Sequence, residues 1–322
     1  MNDSVRDKIL VAGDGSEHSL ATVRYVASIL DQRRFEVVLF HVRTKFPESF
    51  IDHETKTPAY NYRIVNVEAW EQREVKAICD FMEKAKAILL QAGFPEEAIT
   101  LTIAERDIGI ARDIAAESKN GYKALVVGRR GLSDFKDFML GSVASNILGL
   151  VSIPVWIVGG KYLPKKFLLC LTDSEGAMLA LSHVSAVLGA SKDCEVMLLH
   201  AVRSFRGFRN FVREAFSSEG DKTEVERIER ELDVAAKLLE PSFDKARAAL
   251  VSSGVDTGRI HQKIISGASN AAQAIIDEAE KGGYDTIVVG RRGLSKVEQL
   301  IMGRVSNRVI HMAKDRTVWV VS

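Results

Sequence analysis

The sequence predicts an α/β protein made of two open parallel sheets in tandem, five strands each, with helices on both faces. Three observations predict it. Apolar strand-like runs alternate with amphipathic helical stretches along the chain. The strands are continuous apolar runs, such as EVVLFHV over Glu36 to Val42, which suits strands covered on both faces. The whole programme then occurs twice. Asp14 and Asp173 are 159 residues apart, as are His41 and His200, and Gly128 and Gly290 are 162 apart. Trp156 and Trp319 sit in matching final runs, PVWIV and TVWVV. Near-constant offsets of this kind mark an internal duplication.

In the first half, Lys8 to Ala12 reads as a strand and Gly13-Asp14-Gly15-Ser16 as a turn. An amphipathic helix over Ser19 to Leu30 places Leu20, Val23, Val26, Ala27 and Leu30 on one face. The second strand ends at Val42. Residues 43–66 carry two prolines, polar residues and aromatics and read as a long loop. A helix follows over Val67 to Ala92, stopped by Gly93 and Pro95. Thr100 to Ala104 is a third strand and Ile110 to Ser118 a third helix. Ala124 to Val127 is a fourth strand, Val143 to Leu150 a fourth helix, and Val155 to Val158 a last strand.

Gly159 to Pro164 reads as a linker. Phe167 to Leu171 then repeats the first strand, Thr172-Asp173-Ser174 the turn, and Glu195 to Ala201 the second strand. The halves diverge after that. Phe205 to Arg213 alternates aromatics with arginines, and a charged helix is expected over Thr223 to Ser253. Aromatic and basic spacing can serve single-stranded nucleic acid. The balance of 44 Lys plus Arg against 43 Asp plus Glu argues against that use and against an acidic membrane surface. An amphipathic helix docking on protein is the simpler reading.

The hydrophobic fraction of 46% and charged fraction of 27% describe a globular chain. Cys79, Cys170 and Cys194 are scattered, which fits a reducing compartment, with Cys170 and Cys194 expected in the core. The first residues lack the long apolar segment of a signal peptide, and no run approaches the length of a membrane span. These features set a cytoplasmic expectation.

The stretch Gly128 to Ser142, GRRGLSDFKDFMLGS, carries the chemistry. Glycines at the carboxyl end of a parallel strand permit a tight turn and close ligand approach. Gly141-Ser142 opens a helix whose first amides are free to bind an anion. Ser142 can cap that helix or meet a phosphate. Asp14 and Asp173 stand where an open sheet binds ligands, and either accept hydrogen bonds from a ligand or cap a helix. The second copy, GRRGLSKVEQLIMGR from Gly290, keeps Gly293 and Gly303 but has Arg304 where the first half has Ser142. Arg304 either binds phosphate itself or closes the site, and impaired binding is the reading favoured here. Ser306 could still offer a hydroxyl. Arg129, Arg130, Arg291 and Arg292 reach either a ligand or solvent. His41 and His200 end apolar strands without nucleophile or metal-ligand partners and read as structural. No H-E-x-x-H, Walker lysine or G-x-S-x-G motif is present, so no catalytic group is assigned.

With these residues the chain resembles the universal stress protein family in its tandem two-domain form, over nearly its whole length. The specific part is G-2x-G-9x-G-[S/T], met by Gly128, Gly131, Gly141 and Ser142, together with Asp14, Ser16 and Ser19. This resemblance is to the nucleotide-binding branch. It implies strand order 3-2-1-4-5 in each half and binding of ATP, or of AMP or ADP, with Mg2+ accompanying the phosphates. Carried over, Asp14 contacts adenine or ribose and Val42 contacts adenine through its backbone. Gly128, Arg129 and Gly131 line ribose and phosphates, and Gly141, Ser142 and Val143 hold the phosphate tail. Asp173, Gly290 and Gly293 also match, while Arg304 and Ala144 depart from the pattern. The resemblance implies an internal pseudo-dimer through Val155 to Val158 and Val318 to Val321. The implied role is a nucleotide-binding stress-response regulator or sensor. A slow ATPase or autophosphorylating enzyme and a nucleotide-independent interaction module are the alternatives. The expected domains are residues 1–160, nucleotide-binding, and 165–322, with an altered phosphate motif. The protein partner and any further homodimer stay open.

Overall fold

The computed structural model describes residues 6–44, 58–131, 140–160, 164–189, 193–203, 240–268, 270–291 and 302–322. The first half supplies strands β1 (Asp7–Ala12), β2 (Phe35–Arg43), β3 (Ile99–Glu105), β4 (Ala124–Gly128) and β5 (Val155–Val158). The second supplies β6 (Lys166–Cys170), β7 (Glu195–Arg203), β8 (Ile260–Ala268), β9 (Thr286–Gly290) and β10 (Thr317–Val321). Within each half every pairing is parallel, in the expected order 3-2-1-4-5. The halves join where β5 and β10 pair antiparallel, so the two sheets become one of ten strands, β3-β2-β1-β4-β5-β10-β9-β6-β7-β8.

The helices follow from their caps and apolar faces. Ser16 caps α1 (Glu17–Ile29) and Ser174 caps α5 (Glu175–Leu188), each accepting a first-turn amide. The others are α2 (Pro58–Gln91), α3 (Ile110–Glu117), α4 (Ser142–Leu150), α6 (Glu240–Ser253), α7 (Ala271–Gly282) and α8 (Arg304–Met312). α1, α2, α5 and α6 cover one face of the sheet, burying Val23, Met82, Leu181 and Phe243 in one continuous core. α3, α4, α7 and α8 cover the other, burying Ile114, Ile147, Ile275 and Val309. Both cores run across the junction of the halves.

One boundary differs from the sequence reading. α2 begins at Pro58, nine residues before the expected Val67, because proline breaks a helix interior but fits its first turn. Only Glu240–Ser253 of the helix expected from Thr223 lies within the described residues, as α6; Phe205 to Arg213 lies outside them. Of the cysteines, Cys194 is buried, burial pushes the Cys170 thiol up to about 12, and Cys79 is exposed.

The junction is built around two tryptophans. Trp156 and Trp319 are direct partners in the β5–β10 register and stack with centroids 4.1 Å apart and planes 5° from parallel. Each indole N–H is satisfied from the other half. Trp319 Nε1 donates to the Tyr25 hydroxyl (2.9 Å), which also bonds Thr286 Oγ1 (2.8 Å). Trp156 Nε1 donates to His183 Nε2 (2.9 Å). Tyr25 and His183 occupy corresponding positions, nine residues past the caps Ser16 and Ser174.

Burial pulls the His183 imidazole down to about 4. The unfolded chain therefore binds a proton at His183 near the ordinary value of about 6.5 while the folded chain does not. Its contribution to stability is complete above that value and lost as pH falls toward 4, by roughly 2–3 kcal/mol. Urea unfolding of wild type against His183→Gln, which keeps an acceptor without titrating, should show this gap narrow over that pH range. A gap independent of pH would contradict the assignment.

Candidate functional site

At the carboxyl end of β1, Asp14 is fixed by a network of hydroxyls. Its Oδ1 accepts from Ser16 N (3.0 Å), Ser16 Oγ (2.6 Å) and Ser19 Oγ (2.6 Å). Its own amide donates to Ser19 Oγ (3.0 Å). Gly15 makes this turn in the left-handed region at φ 90°, which favours glycine. The other oxygen, Oδ2, lies against Gly131, where an added Cβ would come within 2.4 Å of it. The carboxylate and the glycine loop after β4 therefore meet directly.

The two ends of that loop also meet. The Gly141 amide donates to the Arg129 carbonyl (2.8 Å), and a Cβ at Gly141 would sit 3.2 Å from that oxygen. Gly131 thus meets Asp14, while Gly128 and Gly141 pack against the backbone of Arg129 and Arg130 between them; residues 132–139 lie outside the described residues. α4 starts at Ser142 with Gly141 as its N-cap and no side-chain cap. Ser142 is therefore the first helical residue and exposed, and of the two roles open to it the cap falls to Gly141 instead. Its neighbour Val143 is half-buried. The first-turn amides of α4 are left with the partial positive charge of a helix N-terminus.

Val42 pairs with Ala104 of β3, and β2 runs past the last β1 pair, Ala12 with Phe40, so Val42 overhangs the end of β1. The histidines are structural. His41 Nδ1 bonds the Gly13 carbonyl (2.8 Å) and His200 Nδ1 bonds the Leu171 carbonyl (2.6 Å), tying the second strand of each half to the turn after the first. Among the described residues no three His, Cys, Asp or Glu side chains group as a metal site, and no helix is long and apolar enough to cross a membrane.

The arginines depart from the expectation that they face ligand or solvent. Arg129 is only 3% exposed, and its guanidinium donates to the Ile310 carbonyl of the other half (2.8 Å). Gly159 leaves room for it, since a Cβ there would lie 3.1 Å from Arg129 Nε. Burial and the neighbouring Arg130 pull its pKa down to about 10. Arg130 pairs with Asp315, also of the other half, at 3.8 Å. The Arg129 side chain thus reaches across the junction, while its backbone lines the loop. Nothing in the one-dimensional pattern distinguishes this use from a ligand contact.

The model of the Universal stress protein family matches residues 6–159 and again 164–322. The chain belongs to the universal stress protein family. It is 24% identical over 307 residues to a universal stress protein of Mycolicibacterium smegmatis, covering 95% of this chain and 94% of that one. Universal stress protein YxiE of Bacillus subtilis is 27% identical over 153 residues, 47% of this chain and 98% of the relative. A universal stress protein from Archaeoglobus fulgidus has the same fold, with TM-score 0.57 and 21% identity over 98% of both chains.

The second copy of the family unit repeats the scaffold without the network. Counting from the caps, Ser19 corresponds to Ala177, and the residue corresponding to Gly15 is missing, so Asp173 directly precedes the cap Ser174. Asp173 Oδ1 instead accepts from Ser242 Oγ of α6 (2.7 Å). The shorter turn brings α5 down onto the glycine loop: a Cβ at Gly290 would lie 2.4 Å from the Gly176 carbonyl carbon. At Gly128 the nearest atoms are the Arg130 carbonyl oxygen at 3.0 Å and Thr22 Oγ1 at 3.3 Å. The Gly303 amide bonds the Arg291 carbonyl (2.8 Å) as in the first half, and Arg304 opens α8 as an exposed residue. Ser306 donates to the Gly290 carbonyl (2.6 Å), so its hydroxyl is committed to the scaffold rather than free for a phosphate. Gly293 and Arg292 lie outside the described residues.

Ser19 holds Asp14 by two hydrogen bonds and is buried. Ser19→Ala should cost about 1–3 kcal/mol in chemical unfolding, since it strips a carboxylate and an amide of a partner. A loss below about 0.5 kcal/mol, the scatter of ordinary surface changes, would mean Ser16 alone positions Asp14.

Proposed function

We propose that the first half binds an adenine nucleotide, ATP foremost, and that the protein acts as a nucleotide-responsive regulator or sensor in the stress response. The observation that carries this reading is the convergence of a hydroxyl-fixed carboxylate, Asp14, with Gly131, Gly141 and the uncapped start of α4. The fit of a nucleotide to these residues is supported by the glycines themselves. Side chains at Gly131 or Gly141 would crowd Asp14 or the Arg129 backbone and fill the cradle.

In this reading Asp14 accepts hydrogen bonds from a ribose hydroxyl or the adenine amine. The overhanging backbone at Val42 meets the base. Gly128, the Arg129 backbone and Gly131 line ribose and phosphates, and the amides of Ser142 and Val143, with the Ser142 hydroxyl, hold the phosphate tail. A bound nucleotide supplies a polyanion, with Mg2+ at its phosphates, whose presence or length is read by the protein. In the second half Asp173, Gly290, Gly293 and Gly303 form a degenerate counterpart. The reading gives it weaker binding, on account of Arg304, Ala177 and the shortened turn.

Calorimetric titration with ATP tests this. Gly131→Ala and Ser142→Ala should each weaken binding by about tenfold or more, as expected for losing a hydrogen bond to a charged group or displacing Asp14. Equal, negligible heat in wild type and both variants would overturn the reading. In the same titration Arg304→Ser should add binding in the second half; no gain would place the limit at the Asp173-Ser174 turn instead.

A further inference from the structure

The second residue of each glycine motif does something the ligand reading does not use. Arg129 and Arg291 are 162 residues apart. Their guanidinium groups end on carbonyls that are also 162 apart, Ile310 for Arg129 and Leu148 for Arg291. Arg291 additionally donates to the Val151 carbonyl and to Ser322 Oγ (3.0 Å). Leu148 and Ile310 lie in the last turns of α4 and α8, where carbonyls have no intrahelical partner. A cation there also meets the negative end of the helix dipole. Both arginines are 3% exposed, so these are buried charge-assisted contacts rather than surface pairs.

The backbones of the same two residues face the other way. The Arg129 carbonyl accepts from Gly141 and the Arg291 carbonyl from Gly303, the residues that open α4 and α8. Each arginine therefore grips the start of its own half's helix with its backbone and the end of the other half's helix with its side chain. α4, nine residues long, has the Gly141-Ser142 cradle at one end and Arg291 of the opposite glycine loop at the other. A short helix clamped at both ends moves as a rod, and an axial shift at one end appears at the other.

We propose that Arg129 and Arg291 are reciprocal positioning residues that tie each glycine loop to the cradle helix of the other half, so that the first site's α4 is set by the second half. The coupling to ligand affinity rests on the nucleotide reading above; the coupling of the helix ends does not. Arg291 lies in the second half's motif yet sets the geometry of the first half's cradle. Arg129 sets α8 in the same way.

The experiment uses the full chain as wild type, Arg291→Lys and Arg291→Met. Amide exchange without nucleotide is followed at Gly141 and Ser145, which bond the Arg129 and Gly141 carbonyls at the start of α4. ATP affinity is measured alongside, with the near-ultraviolet circular dichroism of the Trp156–Trp319 stack as the control for an intact junction. Arg291→Met should speed exchange at Gly141 and Ser145 and weaken ATP binding about fivefold or more, the usual size of a coupling between sites. Arg291→Lys should restore part of both, with the tryptophan signal unchanged throughout. Lower melting temperature with unchanged exchange and affinity would overturn the proposal, leaving a structural staple only. If wild type binds no ATP, the nucleotide reading fails and the exchange rates still decide the coupling. If Arg291→Met loses the tryptophan signal, Arg291→Lys is read alone: faster exchange at Gly141 supports the proposal and wild-type exchange overturns it.

Discussion

The antiparallel pairing of β5 with β10 is the constraint on which the rest of this molecule depends. Each half, taken alone, ends its sheet on a short, fully buried apolar strand, VWIV or TVWVV. An open edge of that composition would recruit other chains. Pairing the two edges removes the problem and joins the sheets, and the stacked indoles of Trp156 and Trp319 fill the seam. Their N–H groups have to be satisfied inside the protein, and Tyr25 and His183 do so from opposite halves. The same pairing sets the ends of α4 and α8 against the opposite glycine loops, which explains why two arginines can be buried there at all. Each guanidinium reaches a helix carbonyl that has no partner within its own helix.

Much of this was legible in the residues. Two strong periodic signals, buried parallel strands and capped amphipathic helices, gave the elements and the duplication. The glycine spacing marked the loop whose ends meet at Arg129 and Gly141, since glycines allow close backbone approach. The histidines read as structural and are. Three things were not legible, each for a physical reason. α2 starts at Pro58 because proline signals a break only inside a helix, not in its first turn. Arg129 and Arg291 look like ligand-facing cations until the other half is placed beside them; that half meets them with backbone carbonyls, which leave no trace in sequence. The missing counterpart of Gly15 is a single-residue change in a turn, visible only once the caps Ser16 and Ser174 fix the alignment.

These details make the two halves unequal despite a shared fold. The most apparent difference, Ser142 against Arg304, lies at exposed helix starts. A second difference lies beneath it. One aspartate is held by three hydrogen bonds to its Oδ1 and touches its glycine loop, while the other is held by a serine from α6 beside a turn that has closed onto Gly290. Duplication relaxes the demand on one copy, and here the second copy retains what the junction needs, including Arg291, Trp319 and Thr286.

One fold, present twice and fused into one sheet, is proposed to carry a stronger nucleotide site in its first half than in its second. Native mass spectrometry of the intact chain over a series of ATP concentrations tests it most directly. A single nucleotide per chain should bind first, with any second one appearing only at much higher ATP. Two nucleotides bound with equal affinity, or none, would contradict it.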